Sequence, residues 1–130
     1  MSKKLAILAA GIGLLISAAP VFAHHAFAAE YDRSKPVKVK GVVTKVEWAN
    51  PHIWFFVDVK DENGNVTNWG FSGGAPGMLQ RRGITKDVLK VGDVVVVDGF
   101  QAKDASHNAS GNSVTFENGK KVFASGEEAP

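Results

Sequence analysis

Cysteine is absent from the 130 residues of this chain. Disulfides, thiolate metal centres, covalent haem attachment and thiol redox chemistry are therefore excluded. Methionine is nearly as scarce, with Met1 as initiator and Met78 alone in the body of the chain, so a methionine-rich Cu(I) carrier is not supported. Long apolar runs are also few. The longest, residues 5–19, falls short of the roughly 20 helical residues that cross a bilayer core, which argues against a stable membrane anchor.

That run has the features of a cleavable leader. Lys3 and Lys4 precede it, Pro20 breaks it, and Val21-Phe22-Ala23 offers small residues where signal peptidase acts. The expected signal peptide is residues 1–23, with export to the periplasm; a competing cut after Ala28 would discard both His24 and His25. The formal net charge of +2 belongs to the leader, because removing Lys3 and Lys4 leaves 13 basic and 13 acidic side chains. A neutral mature chain lacks the electrostatic footprint that polyanions require, which argues against nucleic acid and anionic membrane surfaces as partners. Its 107 residues suffice for one domain.

Residues 24–36 read as an N-terminal arm ending at Pro36, residues 37–125 as the folded domain, and residues 126–130 as a flexible tail. Val37 and Val39 share one parity, and Val42, Thr44, Val46 and Trp48 take the other after Gly41, the pattern of a strand bent by a glycine bulge and able to serve two sheets. Ile53, Phe55, Val57 and Val59 alternate with Trp54, Phe56, Asp58 and Lys60, which predicts a second strand with one buried face. Asn63-Gly64 supplies the turn into a third strand over residues 66–71. Pro76 opens a short helix that Gly83 stops, and Thr85 caps a second helical turn over residues 86–90. Four consecutive valines, residues 94–97, begin a fourth strand; residues 103–112 read as polar and flexible, and a last hairpin closes around Asn118-Gly119. This order predicts an all-β fold, a small five-stranded Greek-key barrel of the oligonucleotide/oligosaccharide-binding (OB) type with a short helical segment between strands three and four. An open β-sandwich is the alternative.

The elements His24-His25-x-Phe27, Glu30-Tyr31-Asp32, Glu47-Trp48-x-Asn50-Pro51-His52-x-Trp54, Gly73-Gly74-x-Pro76, Arg81-Arg82-Gly83 and Leu89-x-x-Gly92-Asp93 together resemble a family of small exported bacterial proteins of unknown function. The likeness spans essentially the whole mature chain. It implies export and a single β domain, and it brings no activity, catalytic residue or cofactor.

Two constellations carry chemistry. The first is His24, His25 and His52: a mature N-terminal histidine chelates an ion through its α-amine and imidazole, and a second imidazole completes a set that suits copper better than zinc. The same histidines also read as a solvated leader remnant and an ordinary turn. The second is aromatic: Trp48, Trp54, Phe56 and Trp69. If Ile53 and Phe55 fill the interior, Trp54 and Phe56 face outward as a stacking surface for a protein or glycan, unless the arm or helix covers them.

Other features read more simply. His107 is an exposed loop histidine, and Arg81-Arg82 after a glycine-rich loop is either an anion cradle or a helix end where cations complement the dipole. Asp58, Ser72 and His52 make a triad only on paper, because no nucleophile elbow surrounds Ser72. The expectation is a non-enzymatic exported binding protein, holding copper or presenting an aromatic surface.

Overall fold

The computed structural model describes residues 27–122. Residues 27–30 are helical, and the β structure begins at Tyr31. Among the described residues the strands are β1 (Tyr31–Glu47), β2 (Trp54–Lys60), β3 (Val66–Ser72), β4 (Val94–Ala102), β5 (Asn108–Ser110), β6 (Ser113–Phe116) and β7 (Lys121–Val122), with a short helix α1 (Pro76–Arg81) between β3 and β4. None of the described helices is long and apolar enough to cross a membrane.

The fold is thus mostly β, with the short helix where it was expected. β1, β2 and β3 form an antiparallel meander; β3 meets β5 in parallel, β5 meets β4, and β4 returns antiparallel to β1. Five strands therefore close a ring. It is not a clean barrel, because β5 has three residues and meets β4 at one register pair, Gln101↔Ala109, while β6 and β7 extend the sheet from β4.

β1 does serve two partners: its Tyr31–Val42 part pairs with β4 and its Val42–Glu47 part with β2. The bulge that permits this lies at Thr44, between Val43 and Lys45, rather than at Gly41. Gly41 has a different role, since a Cβ there would lie 2.1 Å from the Asp58 carbonyl oxygen of β2. Only a residue without a side chain lets the strongly bent backbones approach that closely. Gly99 does the same for β4, where a Cβ would fall 1.6 Å from the Ser110 oxygen. β1 also starts six residues before the expected Val37, with Pro36 accommodated by a register shift against β4 between Tyr31 and Pro36.

Two local expectations are corrected. Residues 103–112, read as flexible, contain β5, whose Ala109 and Ser110 are buried; pairing with β3 and β4 imposes a strand on Asn-Ala-Ser, which has no β propensity of its own. Residues 86–90, read as a helical turn, form only a turn, with Val88 N–H donating to the Thr85 carbonyl and the Asp93 carboxylate accepting from Lys90 N–H. The helix α1 behaves as read: Pro76 opens it, Leu79 is buried, and Gly83 follows its end at φ 78°.

Val43, Phe55, Val57, Phe71, Leu89, Val95, Val97, Ala109 and Val114 make the core. Each large apolar side chain among them contributes about 1.5–3 kcal/mol through burial. Phe55 and Phe71 stack at its centre with ring centroids 5.3 Å apart.

A candidate ligand-binding face on β2 and β3

The alternation along β2 divides its aromatic residues between two environments. Phe55 and Val57 are fully buried, while Trp54, Phe56 and Asp58 are half-buried on the opposite, outer face. The Trp54 and Phe56 rings are stacked near-parallel, at 6.4 Å between centroids and 23° between planes. Each neighbouring position is set by register. The turn after β2 is fixed by Asp61, whose Oδ1 accepts from the N–H groups of Asn63 and Asn65, and by Gly64 at φ 83°. That turn pairs Trp54 with Ser72, Phe56 with Gly70 and Asp58 with Asn68.

Gly70 leaves room for Phe56, because a Cβ there would meet the Phe56 ring at 3.2 Å and Asn108 Oδ1 at 2.6 Å. On the other side, the bulge at Thr44 puts Thr44 and Lys45 in succession opposite Phe56, with Glu47 opposite Trp54. Polar groups therefore frame the rings on both flanks. Asn68 Nδ2 donates to Asp58 Oδ1 at 2.8 Å and to Thr44 Oγ1 at 3.2 Å, and Thr44 Oγ1 donates to the Phe56 carbonyl at 3.3 Å. Lys45 Nζ lies 2.6 Å from Glu47 Oε1 and 5.6 Å from the Phe56 ring centroid. An exposed pair of this kind adds little stability, but it cancels the local charge.

The remaining expected site residues are dispersed. Trp69 pairs with Val57 and so belongs to the core face, stacked on Phe71 at 6.2 Å and met edge-on by the His107 ring at 5.2 Å. Trp48 lines an apolar cavity of about 20 Å³ with Ile53, Leu79, Leu89 and Phe116, and its indole Nε1 is buried without a hydrogen-bond partner among the described residues. Neither residue joins Trp54 and Phe56.

His52 is exposed after the cis Asn50–Pro51 peptide. Ile53 is buried and bonded through its N–H to Gly74 and its carbonyl to Gly73, just before β2 begins. His24 and His25 lie outside the described residues. Among the described residues, no group of three or more His, Cys, Asp or Glu is placed to hold a metal ion. His107 is exposed, and Arg81 and Arg82 are exposed at the end of α1, where the first suits the negative end of the helix.

A family model described as a family of unknown function (DUF6152) matches residues 12–113. The chain belongs to that family. Comparison with curated proteins and with solved structures gives no match. The matched span takes in the ring from β1 to the start of β6.

The face residues that the sequence alone did not single out are Thr44, Lys45, Glu47, Asn68 and Asn108. Asp58 shares the parity of Trp54 and was visible as such. Asn68 reaches Asp58 through the hairpin register, whereas Thr44, Lys45, Glu47 and Asn108 become neighbours through the bulge and the ring closure, which no local pattern announces.

Proposed function

We propose that this protein is an exported, non-enzymatic binding module of OB-like Greek-key build, acting in the periplasm through the outer face of β2 and β3. The observation that carries the reading is the Trp54–Phe56 pair, two large aromatic rings aligned on a face where Asp58 and Asn68 already supply a polar margin. Apolar rings left half-exposed beside directional polar groups form the usual composition of a recognition surface. The order of strands around the ring, with β2–β3 as an outward face, supports the OB-like description.

The chain has three tryptophans, so replacing Trp48 and Trp69 by Phe leaves Trp54 as the only indole reporter. Titration of that protein with neutral hexasaccharides and with short peptides is expected to give a saturable change in emission that Phe56→Ala abolishes. No saturable response to either class overturns the reading.

A second reading is favoured by the exposure of His52: a Cu(II) site in which the amine and imidazole of a processed His24, assisted by His25, join His52. Calorimetric Cu(II) titration of protein beginning at His24 tests it. Affinity above that of a free His-His peptide, lost in His52→Ala, supports the site; equal affinity in the two proteins removes it.

A further inference from the structure

We infer that the ligand of the Trp54–Phe56 face is an uncharged oligosaccharide, an assignment that rests on the binding-module reading and adds the ligand class. Three observations lead to it. The first concerns hydrogen-bonding edges. β2 is paired with β1 from Trp54 to Asp58 and with β3 along its whole length, so the stretch that carries both rings has no free edge. An extended peptide gains much of its affinity by adding a strand to an open edge, and the stretch of β2 under the rings offers none.

The second is charge. Lys45 is paired with Glu47, and Asp58 is held by the Asn68 amide, so among the described residues no uncompensated cation lies against the Trp54 or Phe56 ring. Polyanions are recognised through such cations, so a nucleic acid or acidic polymer has nothing to neutralise. The third is the combination of surfaces. Two near-parallel, half-exposed rings offer apolar area, while Thr44, Asp58, Asn68 and Asn108 surround Phe56 with hydroxyl, carboxylate and amide groups. A pyranose has the complementary build: one face of C–H groups to cover a ring, and a rim of hydroxyls that both donate and accept. The strand rise of about 3.3 Å per residue sets Trp54 and Phe56 two residues apart as successive platforms, which favours a chain of sugars over a single one.

The full-length mature protein carrying Trp54 as its only tryptophan is titrated with cellohexaose, maltohexaose and chitohexaose, with polygalacturonate and an unstructured hexapeptide as comparison ligands. At least one neutral hexasaccharide is expected to saturate the emission change, with a dissociation constant that stays within about twofold between about 0.05 and 0.5 M NaCl. Phe56→Ala and Asn68→Ala in that protein, and Trp54→Ala followed by calorimetry, are expected to weaken binding by about tenfold or more for the aromatic positions and less for Asn68. Circular dichroism identifies any variant that has lost its fold, and Phe56→Leu, which keeps an apolar side chain of similar reach without the ring, replaces it. Failure of all three neutral sugars with a saturable, Phe56-dependent peptide or polygalacturonate response overturns the sugar assignment and leaves the binding face standing. Absence of any Phe56-dependent response overturns both.

Discussion

The Tyr31 hydroxyl lies 2.5 Å from Ser72 Oγ, joining two buried residues 41 positions apart. Tyr31 opens β1 beside Ala102 of β4, and Ser72 closes β3 beside Ser110 of β5, so the bond ties the beginning of the ring to its seam. Removing one partner takes this bond from a hydroxyl that stays buried. Tyr31→Phe and Ser72→Ala are each expected to cost about 1–3 kcal/mol in urea unfolding, and the double variant less than the sum of the two. Additive costs would show that the hydroxyls do not interact.

Glycine substitutions separate close approach from backbone conformation. Gly99→Ala places a Cβ inside the contact distance of the Ser110 backbone, and Gly41→Ala does so at Asp58, where no flexible side-chain end can yield. Gly83→Ala meets nothing within 4 Å and carries only the strain of φ 78°. The first two are expected to lose at least about 4 kcal/mol, a large part of a small domain's stability, against about 1–2 kcal/mol for the third. Thermal melts of the three proteins check the ranking, and soluble yield ranks any that do not fold.

Adjacent aromatic residues on β2 are expected to respond in opposite ways. Phe55 is fully buried against Phe71 and next to Gly111, so Phe55→Ala should destabilise by about 3–5 kcal/mol. Trp54 is half-buried on the outer face, and Trp54→Ala should leave a cooperative fold within about 1–2 kcal/mol of the parent. Comparable losses from both would mean that Trp54 serves packing alone, and the outer-face reading would fall with it.

Local patterns carried the elements whose signals are themselves local. Strict alternation gave β2, Asn63-Gly64 its turn, and Pro76 with Gly83 the limits of α1. β5 escaped because its strand conformation comes from its neighbours: Asn108-Ala109-Ser110 contains no β-branched or aromatic residue, and its burial follows from closing the ring. Trp69 lies one strand away from Trp54, a neighbourhood that by itself does not fix which face its ring takes. Only the hairpin register shows that Trp69 opposes Val57 and therefore faces the core. The Thr44 bulge is equally cryptic, because Gly41 nearby offers the more familiar bulge residue and is needed for another reason.

Acid sensitivity should trace in part to two carboxylates that accept from a nearby serine. Asp32 accepts hydrogen bonds from the side chain and then the backbone N–H of Ser34, and these hold its carboxyl below the ordinary value of 3.8. Asp104 is held low in the same way by Ser106. A carboxylate whose pKa is lower folded than unfolded stabilises the fold fully above the unfolded value, and that contribution is lost as pH falls through the folded value. The two carboxylates should therefore contribute undiminished above about pH 4 and fade below it. Asp32→Asn and Asp104→Asn remove the titration while keeping a side-chain oxygen that accepts the bond. Urea midpoints measured down the pH scale are expected to fall less steeply in the acid limb for each variant than for the parent, and to coincide in slope near neutrality. Parallel acid limbs in all three proteins would place the proton uptake elsewhere in the fold.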